Sequence, residues 1–163
     1  MKIHDIIESK NYATLYHHTG FAKLLSILQK NALIAGSTGF VSFSRNKNFL
    51  KNGSVGLQGV GAMIAVDGHK LSNKYKIQPY KYHSLDVEVP DESEERIKIT
   101  KVDNVRLYIN EIVLYSQYAK SFSNREQTLI NRLMGNEIDF PVNLNSIKKF
   151  ITVNYPNINV RLI

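Results

Sequence analysis

The chain has 163 residues, 43% of them hydrophobic and 21% charged, enough for one domain (1–163) with a real core and too few for two comfortable ones. It has no cysteine, so disulfides, thiolate metal sites and thiol nucleophiles are excluded, and a reducing compartment fits. The net charge of +7 and pI near 9.5 favour acidic partners such as nucleic acid or a dinucleotide; the other reading is a Lys- and Asn-rich composition whose lysines are simply scattered over the surface.

Met1 to Lys10 mixes charges with apolar residues and has no hydrophobic leader segment, and the longest apolar runs, such as Ala62 to Val66, fall far short of a bilayer span. A soluble, cytoplasmic protein with no membrane partner is expected. Met1 to Tyr12 reads as a short lead-in helix or turn around Ile3, Ile6 and Ile7. Thr14 to His18 is the first strand. Phe21, Leu24, Leu25 and Leu28 then fall at helical spacing, with Asn31 as terminator. Leu33 to Gly39 is a connection, and Phe40 to Ser44 a strand with Val41 and Phe43 on one face, Ser42 and Ser44 on the other.

Asn46 to Gly61 carries Gly53, Gly56, Gly59 and Gly61 without hydrophobic period. No Lys-Ser/Thr pair follows and the third glycine of a dinucleotide fingerprint is missing, so phosphate-loop readings fail and a lid over a cleft is expected. Ala62 to Val66 is a buried strand turned at Asp67-Gly68, followed by a helical turn or loop over His69 to Asn73. Tyr75 to Tyr82 is extended, and Pro79 places it at a sheet edge. An acidic loop, Asp86 to Glu94, leads into a strand from Glu95 to Thr100; Val105 to Ile109 is a turn or short strand and Glu111 to Tyr115 is β-rich. Ser121 to Gly135 is a helix, with Ser123 and Glu126 as capping box, Leu129, Ile130 and Leu133 as buried face, and Gly135 at C′. Ser146 to Val153 is a shorter helix and Ile158 to Ile163 a closing strand. The fold class is α+β, a strand-rich core with peripheral helices.

Two places carry chemistry. Leu15-Tyr16-His17-His18-Thr19 delivers ring nitrogens and a hydroxyl to the mouth of a helix, a place to hold a ligand. Thr19 also reads as that helix's N-cap, and His17 as a backbone-satisfied core histidine. In the second place, alternation sets Glu95 on the face of Ile97 and Ile99, and a glutamate on an inward face needs a reason. The competing reading leaves Glu94 and Glu95 in the acidic loop, with Glu94 the key carboxylate if the register moves by one. No His-Glu-x-x-His or Gly-x-Ser-x-Gly occurs, so neither a zinc site nor a serine hydrolase is supported.

Tyr16-His17-His18-Thr19, Phe40-Val41-Ser42-Phe43-Ser44-Arg45 and Glu92-Ser93-Glu94-Glu95-Arg96-Ile97 resemble, in order, the three motifs of ADP-ribosyltransferases, over roughly residues 14 to 115. The layout also resembles small proteins of tailed phages. The resemblance implies a split β-sheet core, NAD as co-substrate, and a macromolecular acceptor, either nucleic acid or a host protein bound to it. It implies Glu95 as the carboxylate that stabilises the oxocarbenium ion, His17 and Ser42 as groups placing the ribose, and His18, Thr19, Ser44 and Arg45 around the dinucleotide, with Arg45 on phosphate. His18 stands where the family has glycine. Phe49, Tyr75 and Tyr80 are candidates for stacking on nicotinamide. The rival reading is a non-catalytic nucleic-acid-binding or inhibitory phage protein, or a minor virion component, that kept the fold.

Overall fold

The structure is a computed structural model that describes residues 14–47, 60–80, 83–84, 87–88, 94–118 and 122–163. The lead-in segment, Phe49 and all but the ends of the glycine-rich stretch expected as a lid lie outside the described residues. Strand β1 (Thr14–Thr19) feeds helix α1 (Phe21–Lys30), followed by β2 (Ala32–Ile34), β3 (Phe40–Ser44) and β4 (Ala62–Asp67). Next come α2 (Gly68–Ser72), β5 (Ile77–Tyr80), β6 (His83–Ser84), β7 (Val87–Glu88) and β8 (Glu94–Lys98). The chain closes with β9 (Lys101–Asp103), β10 (Ile109–Leu114), α3 (Asn124–Met134), α4 (Leu144–Asn154) and β11 (Asn159–Leu162).

A seven-stranded sheet in the order β11-β10-β4-β1-β3-β8-β5 forms the centre. Among the described strands, only β10 and β11 pair in parallel. β4, whose first five residues are all buried, joins β1 over six residue pairs, whereas β1 meets β3 at the single pair Tyr16 and Ser44. The sheet therefore divides at that seam into a four-stranded and a three-stranded half. One face carries the helices: Leu24, Leu25 and Leu28 of α1, Ile130 of α3 and Ile147 and Ile151 of α4 share a core with Leu15, Val41, Phe43, Ile64, Ile97 and Ile112 of the sheet. Each such side chain contributes about 1.5–3 kcal/mol of burial.

Local chemistry explains where the elements stop. Asn31 ends α1 in the left-handed region at φ 50°, which asparagine tolerates, and its side chain accepts from the Arg106 amide at 2.9 Å. Ser123 caps α3 by accepting from the Glu126 amide, and Gly135 closes it at φ 73°. At α4, Asn143 and Ser146 form a reciprocal capping box.

Several expectations need correction. The connection from Leu33 contains β2, which pairs with β9; three-residue strands alternate too briefly to show in a sequence. Asp67-Gly68 begins α2, since the Asp67 carboxylate accepts from the Lys70 amide at 3.0 Å, and the acidic stretch contains β7 and the first residue of β8. Val105–Leu107 is a 3-10 turn, in agreement with the turn alternative for Val105 to Ile109. In α3 the buried residues are Ile130, Asn131 and Met134, and Leu129 is 46% exposed. The reason is Asn131: its amide donates to the carbonyls of Ile138 and Phe140 at 2.8 and 2.7 Å, turning that polar residue inward.

Candidate functional site

Strand registers line up one cross-strand row through the whole sheet. Val160 pairs with Ile112, Ile112 with Ile64, and Ile64 with His17. The Tyr16–Ser44 pair sets His17 beside Phe43, which pairs with Glu95, itself opposite Pro79. Side chains opposite one another share a face, so His17 and Glu95 are the two polar members of an otherwise apolar row. They flank Phe43, and two strand spacings separate their backbones by roughly 10 Å.

His17 bridges the seam. Its Nδ1 lies 3.0 Å from the Ser42 carbonyl, and a carbonyl can only accept, so Nδ1 carries the proton and Nε2 is left as an acceptor. Its ring meets Phe43 edge-on with centroids 6.0 Å apart. Burial lowers its pKa; the hydrogen bond to Ser42 opposes this, and the charge of Lys23 adds to it. His18, on the other face opposite Met63, is lowered to about 4, first by burial and then by His17, with the Asn46 backbone opposing. Both imidazoles are neutral at pH 7.

Glu95 is 1% exposed. One carboxylate oxygen, Oε1, forms an ion pair with Arg45, whose side chain is 44% exposed. The other, Oε2, is buried and has no hydrogen-bond partner among the described residues. A buried carboxylate oxygen left unsatisfied costs on the order of 1–3 kcal/mol or more, and such an atom calls for an explanation, a ligand among them.

The remaining expected residues are distributed differently. Ser42 pairs with Arg96, so its side chain stands on the face away from Glu95; it reaches His17 through its carbonyl, not its hydroxyl. Period-two alternation dictates this, because Val41 and Phe43 on either side are core residues. Ser44 is turned locally, its hydroxyl accepting from the Asn46 amide at 2.9 Å. Arg45 is engaged by Glu95. Thr19 is the buried last residue of β1, and the N-cap of α1 is Gly20, with no side-chain cap; the helix starts one residue too late for a threonine cap. Tyr75 packs edge-on with Tyr108, and its hydroxyl accepts from the Asp103 amide at 3.2 Å, away from the row. Glu94 pairs with Ser44 at the start of β8, so Glu95 is the inward carboxylate.

Beside the row lies a groove of about 840 Å³ along the outer face of α1, within the ~300–1,000 Å³ of small-molecule sites. His17, His18, Thr19 and Gly20 form one end, and Lys23, Ser26, Ile27 and Lys30 the wall. His17 is thus shared by the row and the groove, whereas Glu95 of the row and its partner Arg45 do not line the groove. Sequence reasoning missed Lys23 and Lys30. Their signal was available: both sit on the flank of α1 opposite Leu24, Leu25 and Leu28. A smaller cavity of about 500 Å³ on α3, lined by Arg125, Thr128 and Arg132, continues the groove past the shared Leu129. Among the described residues, no three His, Asp or Glu side chains gather as a metal site would, and no helix is long and apolar enough to cross a membrane.

No family model and no curated protein matches the sequence. Among solved structures, Thermus sp. 2.9 DarT in complex with carba-NAD+ matches with a TM-score of 0.52 at 12% identity, over 93% of this chain and 95% of that one. DarT is an ADP-ribosyltransferase. The likeness shows the fold: a mixed α and β domain of the ADP-ribosyltransferase-like type.

Proposed function

We propose that the protein is an NAD-dependent ADP-ribosyltransferase that modifies a macromolecular acceptor. The observation that carries this reading is Glu95, a carboxylate almost wholly buried, with one oxygen unpartnered among the described residues, in the same cross-strand row as a histidine kept neutral. Cleaving the bond between nicotinamide and ribose builds positive charge on the sugar, which a nearby carboxylate stabilises, as in glycoside hydrolysis. In this reading the bonding electrons leave with nicotinamide, and the free Glu95 oxygen accepts from a ribose hydroxyl and faces the cationic carbon. The acceptor nucleophile then bonds to that carbon and releases its proton to solvent water. His17, with Nδ1 fixed by Ser42, receives a ribose hydroxyl at Nε2.

These groups fit the co-substrate: an orphan acceptor oxygen and an acceptor nitrogen suit a sugar diol, and the groove is large enough to receive the rest of a dinucleotide. DarT, of the same fold, is seen with carba-NAD+, which supports NAD here. The net charge of +7 and the arginines of α3 beside the groove favour nucleic acid as acceptor.

The test is incubation with labelled NAD and either single-stranded DNA, RNA or a protein extract. Label transferred to nucleic acid and lost by a factor of roughly 10²–10⁴ in Glu95→Gln, the usual size of a positioned acid–base or charge-stabilising group, is the expected result. Label on protein alone would move the acceptor to a host protein. Salt-sensitive nucleic-acid binding with no nicotinamide release would instead establish the non-catalytic binder.

A further inference from the structure

We infer that Lys23, Ser26 and Lys30 form an anion rail on α1 that takes the diphosphate of the dinucleotide and lays its adenosine half along the helix. This rests on the NAD reading and assigns a task that the sequence had given to Arg45. Arg45 is held by Glu95 and does not line the groove, so the phosphates need another cation.

Positions 23, 26 and 30 follow the i, i+3, i+7 spacing of one helix stripe, and all three side chains line the groove. Seven residues at about 1.5 Å each place the two ammonium stems roughly 10 Å apart along the axis, two turns of one continuous wall. No acidic residue occurs in α1, and among the described residues the only carboxylate lining the groove is Glu126 on the opposite wall. An anion is therefore attracted to the α1 side. The rail begins at the histidine end of the groove, which His17 and Lys23 both line, so one continuous ligand can set a ribose on His17 and a phosphate on Lys23. The uncapped first turn of α1 at Gly20 adds backbone amides at the same end.

Because Lys23 and Lys30 are solvent-exposed, replacing them leaves folding intact, and an unchanged melting temperature checks this. Calorimetric titration with ADP-ribose is the test. Wild type is expected to bind more weakly as salt rises; Lys23→Ala and Lys30→Ala each lose roughly tenfold in affinity, the size of one charge-assisted hydrogen bond. The double variant loses most of the salt dependence, and Lys23→Arg with Lys30→Arg restores binding. If the double alanine variant binds ADP-ribose as wild type does while His17→Asn weakens it, the rail is wrong and the NAD reading stands. If wild type binds neither NAD nor ADP-ribose, both fall together.

Discussion

His18 shows how much a single half-buried side chain can set. Its pKa near 4 lies below the unfolded value near 6.5, so between those limits the unfolded chain holds more protons and acid favours unfolding. His17 is lowered in the same direction. Stability contributed by keeping both rings neutral is complete above about pH 6.5 and is lost as pH falls toward 4. Urea midpoints are therefore expected to drop from pH 7 to 4.5, and His18→Asn to flatten that slope; a slope unchanged by the substitution would contradict the assignment. Glu95 and His17 were legible in the sequence as residues on inward strand faces. Ser42 was legible too, since it alternates with Val41 and Phe43, but its distance from Glu95 required the register of β3 against β8. Lys23 and Lys30 read as ordinary solvated lysines until the strand end and α1 enclosed a groove.

At the scale of elements, the join between α1 and the start of β4 is tight. A Cβ added at Gly61 would come within 2.2 Å of the Phe21 ring, and that ring also packs edge-on against Phe122 with centroids 5.5 Å apart. Gly61→Ala is expected to cost about 1–3 kcal/mol by overpacking, seen as a lower melting temperature and partly relieved by adding Phe21→Leu. No loss would mean that the contact is loose. In α3, Asn131→Ala removes both donors to the loop carbonyls of Ile138 and Phe140 and leaves those acceptors unpaired, which predicts a loss of about 1–3 kcal/mol in chemical denaturation. A value near zero would show that water replaces the amide. Helical periodicity found α1 and α3 because their leucines and isoleucines repeat. It misplaced the buried stripe of α3 because an inward asparagine is invisible to a hydrophobicity pattern. The short strands β2 and β9 were missed because three residues cannot establish a period.

For the whole molecule, the seam between β1 and β3 decides the architecture. A four-stranded half anchored by β4 and β10 brings His17, a three-stranded half brings Glu95, and the Tyr16–Ser44 pair and the imidazole-to-carbonyl bond of His17 are among the contacts that join them. Sequence order set the stretches around His17, Ser42 and Glu95 along the chain; that His17, Phe43 and Glu95 share one row is a property of the pairing, which no local pattern encodes. In the proposed function this row addresses one ribose of NAD. The most direct measurement is NAD affinity and nicotinamide release read together on wild type, Glu95→Gln and His17→Asn. Wild type is predicted to bind NAD and release nicotinamide, Glu95→Gln to bind with little change while release collapses, and His17→Asn to lose affinity. Release that persists undiminished in Glu95→Gln, or a wild type that does not bind NAD at all, would contradict the account.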